Sequence, residues 1–267
     1  MSFKRLDGRA PEQVRPITVA SDVYGYAHAS VLYQQGNTKV LCGVTLQAGV
    51  PPFLKGQRTG WLSAEYAMLP AATHQRTQRE TTQAQRNARS VEISRLIGRC
   101  LRPTVNLQAL GERTIVIDCD VLQADGSTRV ACISASSMAL VTAAQRWVEQ
   151  GLLDKNVVHN QIAAVSVGMI NQTACADLAY EEDAQADADF NIVLDQQGHI
   201  LEIQGTAEKK ALSWDQFDCI KKVALQGVQD IFAITKVAAK ENTNTPPQTT
   251  SKPGAFSLAN RLSAAKV

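Results

Sequence analysis

The stretch from residue 118 to residue 129 constrains the fold and chemistry of this chain more than any other. Alternating apolar residues over 115–121 predict a β-strand, which Ala124-Asp125-Gly126 interrupts. Ser127 and Thr128 are common helix N-caps, and a long helical pattern follows them. The first amides of a helix lack internal partners, and the helix dipole favours negative charge beside them. The stretch therefore predicts an anion site, although an ordinary capped helix carries the same residue types.

Two arginines stand beside predicted helix starts. Arg129 adds a planar cation that suits phosphate oxygens to the site just described. Arg89 begins a second amphipathic helix, which Pro103 ends, and from that position its side chain can reach an anion. Three further arginines share the opposite face of this helix, and surface solvation or a subunit contact explains them better: Arg95, Arg99 and Arg102.

The basic residues of the chain are concentrated in one segment. Residues 50–102 hold nine lysines or arginines and three acidic residues, whereas the net charge of the whole chain is only +2. Such an excess indicates a surface for a polyanion, although a charge run by itself is more often a solvated face. Residues 70–87 within it lack apolar periodicity, which predicts a mobile loop. This basic loop carries Arg76, Arg79 and Arg86.

An acidic cluster follows later in the chain. Residues 177–189 contain six carboxylates, and a solvated loop is the better explanation for most of them. Asp183 and Asp189 differ because they lie at the entrance to a predicted strand, where the backbone holds them more firmly. Two neighbouring carboxylates suit a divalent cation with oxygen ligands, usually Mg²⁺ near phosphates.

Local patterns also outline the rest of the chain. Residues 1–16 form a polar arm, a capping box at Ser213 and Gln216 opens a helix to about residue 240, and residues 241–267 predict a disordered tail rich in Thr, Asn, Pro and Ser. Further strands are predicted at 17–20, 30–34, 39–46, 61–69, 163–170, 190–194 and 199–204.

The composition argues against several classes of protein. No run of 18 apolar residues is present, and the charged N-terminus does not resemble a signal peptide. The six cysteines form no C-x-x-C pair, and the four histidines show no metal-ligand spacing. Buried free thiols in a reducing compartment fit this pattern best, so we expect a cytoplasmic protein without a membrane partner.

Phosphorolysis of RNA would use all of these features in one reaction. Inorganic phosphate attacks the last phosphodiester and releases a nucleoside diphosphate, so no protein nucleophile is needed. The protein must hold two anions side by side, and cations, helix-start amides and a metal ion offset their repulsion. One carboxylate could serve as general acid to the leaving 3′ oxygen. The basic loop would guide the RNA backbone.

The sequence also resembles the bacterial ribonuclease PH group, from about residue 4 to residue 239. The resemblance is highly specific because many strings occur in the family's order. They are DGRAPEQVRPI, GNTKVLCGV, PPFLKGQRTGWLSAEYAMLPAATHQRTQRE, RSVEISRLIGRCLR, LGERTIVIDCDVLQADGSTR, AAVSVG, EEDAQADADFNIV and EIQGTAE.

This resemblance implies a fold, an activity and an assembly. The fold is α+β, the ribonuclease PH fold of two βαβ-type halves with mixed sheets and packed helices, here in a catalytic domain over residues 1–240. The activity is phosphate-dependent 3′-to-5′ exoribonuclease action on tRNA precursors and other structured RNA 3′ ends. Inorganic phosphate is the co-substrate, Mg²⁺ the cofactor, and six copies form a homohexameric ring as a trimer of dimers.

The resemblance assigns roles by position. Arg89, Ser127, Thr128 and Arg129 bind phosphate. Asp183 and Asp189 form the catalytic, Mg²⁺-binding pair. Arg76 and Arg79 match positions that contact tRNA, and Arg86 of the same loop is grouped with them as RNA-binding.

Three positions depart from the family's usual pattern. Ser127 replaces a glycine but keeps the backbone amide, Ala71 replaces an arginine of the basic loop, and Lys209 replaces a glycine after GTAE. The alternative to an active enzyme is a catalytically silent ring subunit that only binds RNA. The core half of a polynucleotide phosphorylase fits less well, because the chain is too short for two such cores.

Overall fold

The computed structural model describes residues 5–80 and 87–243, and side chains as far as residue 236. Nine strands and five α-helices follow one another in these ranges. In chain order they are β1 (Ile17–Ser21), β2 (Ala29–Gln35), β3 (Thr38–Ala48), β4 (Trp61–Met68), α1 (Ala88–Leu101), α2 (Leu107–Leu110), β5 (Arg113–Gln123), α3 (Thr128–Glu149), β6 (Ile162–Ile170), β7 (Thr173–Ala176), α4 (Tyr180–Asp183), β8 (Ala188–Asp195), β9 (Ile200–Ala207) and α5 (Trp214–Thr243).

The strands form two sheets. The first has the order β1-β2-β3-β5-β4, in which β4 runs parallel to β5 and the other neighbours are antiparallel. Helix α1 connects β4 to β5, as a crossover between parallel neighbours requires. The second sheet has the order β7-β6-β8-β9, and all three of its pairs are antiparallel. A βαβ unit with parallel neighbours therefore belongs to the first half, and the α+β class is confirmed.

Helices α3 and α5 join the two sheets. Helix α3 packs against β2 and β3 of the first sheet and β6 of the second, while α5 packs against β1, β6 and β7. Because α3 is enclosed from both sides, even polar residues such as Ser134 and Ser136 are buried on it. Its N-terminus, at Thr128, consequently lies where the two halves of the chain meet.

Most locally patterned elements agree with the sequence. Strands β1 to β6, β8 and β9 and helices α1, α3 and α5 occur where periodicity predicts them. The capping box is confirmed, because Ser213 accepts from the amide of Gln216 and Gln216 accepts from that of Ser213. Three short elements were not predicted: α2, β7 and α4. Helix α5 continues to Thr243, and the rest of the predicted tail, residues 244–267, lies outside the described residues.

The six cysteines are all free, and five of them are buried, as predicted; Cys219 is exposed. None of the helices in residues 5–80 and 87–243 combines the length and apolarity needed to cross a bilayer.

The N-terminal arm is fastened to the second half by two buried arginines. Arg5 makes a two-pronged ion pair with Glu182, with nitrogen–oxygen distances of 2.8 and 2.6 Å. Arg15 binds the carboxylate of Asp177 in the same way, at 2.9 and 2.7 Å. All four side chains are almost completely buried. The expectation of a solvated acidic loop is therefore wrong for Asp177 and Glu182, because a buried charge requires a paired partner.

Candidate active site

The turn between β5 and α3 presents backbone amides to one side of the molecule. Gly126 has a positive φ of 74°, and any side chain there would overlap the carbonyl of Leu178. Only glycine fits, since the turn lies directly against the second half of the chain. The first intrahelical bond of α3 runs from the amide of Ala131 to the carbonyl of Ser127, at 3.0 Å. The amides of residues 128–130 precede that bond, which leaves a helix start suited to an anion.

Ser127 occupies the N-cap position without capping the helix. Its φ of 57° is left-handed, and its hydroxyl makes no cap bond. The hydroxyl instead contacts the hydroxyl of Ser166 at 2.7 Å and donates to the carbonyl of Leu178 at 3.0 Å. The prediction of a capping hydroxyl is therefore wrong for Ser127. Since its hydroxyl is used within the protein, the amide is what Ser127 offers to a ligand.

Thr128 is also directed inward. Its side chain is buried, and the hydroxyl of Tyr66 in β4 lies 3.4 Å from its own. Burial raises the pKa of Tyr66, and the charges of Arg89 and Arg129 lower it in part. Tyr66 thus links the first turn of α3 to both predicted phosphate-binding arginines.

Arg89 and Arg129 lie at the starts of neighbouring helices. Asn87 caps α1 by accepting from the amide of Arg89 at 2.9 Å, which places Arg89 in the first turn as predicted. Arg129 lies in the first turn of α3, and its guanidinium is 3.4 Å from the carboxylate of Glu92 in α1. Arg89 is exposed.

Asp183 and Asp189 form a carboxylate pair across α4 and β8. Burial raises the pKa of Asp189 to about 6, and the charge of Asp183 adds to this effect. The pKa of Asp183 is also raised, first by loss of hydration and then by the charge of Glu208, while Arg89 and Arg129 act in the opposite direction. The charge of Arg129 acts on both carboxylates and that of Arg89 acts on Asp183, so the fold brings the two arginines near the two carboxylates.

One atom of this site suits a cation. Oδ1 of Asp189 is buried and has no hydrogen-bond partner among the described residues, whereas Oδ2 accepts from Asn191 at 3.4 Å. An unpaired buried carboxylate oxygen is costly unless a cation or a proton satisfies it. The described residues contain no cluster of three or more His, Cys, Asp or Glu side chains arranged around a metal. The unpaired oxygen of Asp189 is the observation in this site that fits a divalent cation with oxygen ligands.

Family models cover most of the chain in two parts. Residues 13–145 match the model of domain 1 of the 3′ exoribonuclease family, and residues 160–227 match that of domain 2. This chain belongs to the 3′ exoribonuclease family, that of ribonuclease PH. The boundary between the two family domains falls between α3 and β6, so each domain contributes one sheet and one side of the site.

Several solved structures share this fold. A structure described as the Archaeoglobus fulgidus exosome with RNA bound to the active site is 21% identical, with a TM-score of 0.72, and the match covers 86% of this chain and 92% of that one. Rice (Oryza sativa) Rrp46 is 18% identical, with a TM-score of 0.70 and coverage of 87% and 98%. An archaeal exosome core is 21% identical, with a TM-score of 0.69 and coverage of 87% and 91%.

The predicted RNA-binding arginines lie apart from the carboxylate pair in sequence and on a different segment. Arg76 and Arg79 are exposed in the described part of the basic loop, while Arg86 lies outside the described residues. The base of the loop is held by the backbone, because the amide of Ala124 donates to the carbonyl of Ala72 at 2.8 Å. The loop therefore starts beside the turn that leads into α3.

The arginines on the opposite face of α1 have separate surroundings. Arg95 is exposed, and Arg99 pairs with Glu202 at 2.6 Å. Arg102 lies 4.2 Å from the ring centre of Trp61 and is half-buried. The expectation of simple solvation is wrong for Arg102.

Several residues that shape the site have no role that the sequence predicts. Glu208 acts on both members of the carboxylate pair, and Asn191 bonds to Asp189. Asn191 lies two residues beyond Asp189 in β8, so strand alternation alone would have placed both on one face. Glu208 belongs to the GTAE string, but no local pattern relates it to residues 183–189.

The departure at Lys209 does not disturb the turn. The amides of Glu208 and Lys209 both donate to the carbonyl of Asp187, at 2.9 and 3.1 Å. Lys209 is not among the described residues with positive φ, so the turn does not require glycine. Ala71 is exposed at the start of the basic loop.

Proposed function

We propose that this protein is an active phosphate-dependent 3′-to-5′ exoribonuclease that removes 3′-terminal nucleotides from tRNA precursors as nucleoside diphosphates. One observation carries the proposal: both arginines and both carboxylates lie within one electrostatic neighbourhood, at the start of a long helix. Phosphorolysis needs this combination, because phosphate must approach a phosphodiester that is itself negatively charged.

Each side of the site has a distinct task. The amides at the start of α3, with Arg89 and Arg129, bind inorganic phosphate and orient one of its oxygens towards the terminal phosphorus. That oxygen forms the new bond, the bond to the 3′ oxygen of the preceding nucleotide breaks, and the 3′ oxygen takes a proton. We assign the proton donor to the carboxylate side of the site. The reverse reaction, nucleotidyl transfer, uses the same groups.

Asp183 and Asp189 are the residues that would hold Mg²⁺ in this proposal. A bound Mg²⁺ ion supplies charge neutralisation at the phosphates. The unpaired Oδ1 atom of Asp189 supports this assignment.

The substrate and assembly belong to the same proposal. Arg76 and Arg79, together with Arg86, would contact the RNA backbone, so affinity should fall as salt concentration rises. We propose a homohexameric ring in the cytoplasm, built as a trimer of dimers. The resemblance of the basic loop to the family's tRNA-contacting segment supports tRNA precursors as substrates.

A catalytically silent RNA-binding ring subunit is the second candidate, because the fold shared with the exosome chains does not by itself require activity. Identity to those chains is too low to transfer either activity or its absence. The carboxylate pair opposes the silent role, because a buried unpaired carboxylate oxygen lowers stability without a cation to bind.

One assay separates the candidates. Purified protein is incubated with Mg²⁺ and a tRNA carrying extra 3′ nucleotides, with and without inorganic phosphate, and the released nucleotides are identified. Diphosphates formed only with phosphate are expected. Monophosphates would indicate hydrolysis, and bound but intact RNA would favour the silent subunit.

A further inference from the structure

Two exposed aromatic side chains lie at the start of α4, the helix that ends at Asp183, and have no role in the reaction described so far. Tyr180 opens α4 and is 57% exposed, although aromatic side chains of this size are usually mostly buried. His74 of the basic loop is also exposed, and the centres of the two rings are 6.3 Å apart with the planes inclined by 55°. The pair bridges the first family domain to the second.

The position of this pair relates it to the path of RNA. Tyr180 begins α4 and Asp183 ends it, and residues three apart on a helix are neighbours on its surface. On the other side, Arg76 follows His74 by two residues in the exposed loop. A strand guided by the basic loop to the carboxylate pair would therefore pass the two rings.

A cavity of about 680 Å³ adjoins the rings and is lined by both of them. The charged residues that line it offer no free cation for a phosphate. Arg15, the lining arginine, is bound to Asp177, and the lining carboxylate Glu182 is bound to Arg5. The other charged lining residues are acidic: Asp7, Asp125 and Glu181. Asp7 pairs with Arg9, and Asp125 contacts Arg15. The charged lining residues therefore offer a phosphate no unpaired arginine or lysine, whereas a flat uncharged group needs none.

We propose that Tyr180 and His74 form a stacking platform for a nucleobase of the RNA, which enters the adjoining cavity while the phosphates remain on the side of the basic loop. This proposal rests on the proposed function and names a part of its substrate site. Every base can stack on an aromatic ring, so the platform would bind the RNA without selecting its sequence.

The test compares two RNA tails that differ only in their bases. A short RNA duplex carries a 3′ tail of adenosines or a tail of the same length made of abasic nucleotides, which keeps the backbone charge equal. Binding is measured by fluorescence anisotropy without inorganic phosphate, so that no turnover occurs. We expect the native protein to bind the adenosine tail at least about fivefold more tightly than the abasic tail.

The variants decide whether the platform causes that preference. Tyr180→Ala should weaken binding of the adenosine tail at least about fivefold and leave binding of the abasic tail unchanged. Tyr180→Phe keeps the ring and should retain the preference, and His74→Ala should reduce it in part. Tyr26→Ala is the matched control, because this tyrosine is 95% exposed elsewhere on the first domain.

Three results would contradict the proposal that Tyr180 and His74 stack on a nucleobase. Equal losses for both tails would indicate a structural or electrostatic role, and an unchanged preference in Tyr180→Ala would remove Tyr180 from the RNA site. A changed elution volume of Tyr180→Ala in size-exclusion chromatography would assign the ring to a subunit contact. Failure of the proposed function looks different: the native protein would distinguish the tails but release no diphosphates when phosphate is added.

Discussion

Four carboxylates within thirteen residues fall into two groups, one in ion pairs with arginines and one without such contacts. Asp177 and Glu182 are buried, and each forms an ion pair with an arginine of the N-terminal arm. Asp183 and Asp189 form no salt bridge within the described part of the chain. Burial acts to raise the pKa of all four, but arginine contacts hold the pKa values of Asp177 and Glu182 below their usual range, whereas those of Asp183 and Asp189 are raised.

This difference separates the two carboxylates that hold the fold together from the two that we propose act in catalysis. An arginine in direct contact neutralises the charge and leaves nothing for a ligand to satisfy. Arg89 and Arg129 act on Asp183 through their charge and not through a direct contact, and Arg129 also has a 3.4 Å contact with Glu92. A site that keeps unsatisfied charge must be held by other interactions, and here the two structural pairs provide them.

The largest effect should come from removing a functional carboxylate. Asp189→Asn should lower the rate of phosphorolysis by on the order of 10² to 10⁴, because its charge acts on the reacting groups. The same change should leave the free energy of unfolding equal or higher, since it removes a buried unpaired charge. Release of diphosphates and urea unfolding measure the two quantities.

The matched control is Asp187→Asn, whose carboxylate forms only a 3.8 Å contact with exposed Lys210. It should retain activity. Full activity in Asp189→Asn would remove Asp189 from the catalytic role.

Replacing the ion-paired carboxylate of Asp177 should instead lower the stability of the fold. Asp177→Asn removes the two-pronged counter-charge of the buried Arg15 guanidinium and leaves it only a 3.6 Å contact with the carboxylate of Asp125, so the free energy of unfolding should fall by about 3–5 kcal/mol. Urea denaturation followed by circular dichroism measures this change. Ion pairs at the surface contribute little, so Asp218→Asn, which loses the exposed pair with Lys221, is the control. Equal midpoints for the two variants would contradict the structural role of Asp177.

Replacing Arg89 should change the affinity for phosphate rather than the stability of the fold. Arg89→Ala should raise the KM for inorganic phosphate about 10- to 100-fold, the loss expected for hydrogen bonds to a charged ligand. Steady-state rates at varied phosphate concentration measure it. Arg95→Ala, an exposed arginine of the same helix, should leave this KM unchanged. If both variants behave alike, the anion site lies elsewhere.

The smallest effect concerns acid stability. Since the pKa values of Asp177 and Glu182 are lower in the folded state than their ordinary values of 3.8 and 4.5, their contribution is complete above about pH 4.5. It is lost as the pH falls through the folded-state pKa values, which lie below 3.8 for Asp177 and below 4.5 for Glu182. The free energy of unfolding of Asp177→Asn should therefore decline less steeply below pH 4 than that of the native protein. Urea titrations in which the free energy of unfolding of both proteins declines equally steeply below pH 4 would contradict this assignment.

The sequence by itself determined the elements whose pattern is local. Strand alternation, the helical stripe before Pro103 and the capping box at Ser213 each lie within one element, and all three are present in the structure. The glycine turn before α3 was also recognisable, because it combines a strand end, a glycine and a helix start within a few residues. Candidate site residues were named from such local context and from family resemblance.

Tertiary structure alone decided which polar groups face the ligand and which hold the fold together. Arg15 and Asp177 are 162 residues apart in sequence, and Arg5 and Glu182 are 177 apart. The hydroxyl of Ser127 likewise finds its partners 39 and 51 residues away. No periodicity within an element encodes such pairs. They form because packing the two domains against α3 buries these groups, and a buried charge or hydroxyl must then bond to whatever group the other domain places beside it.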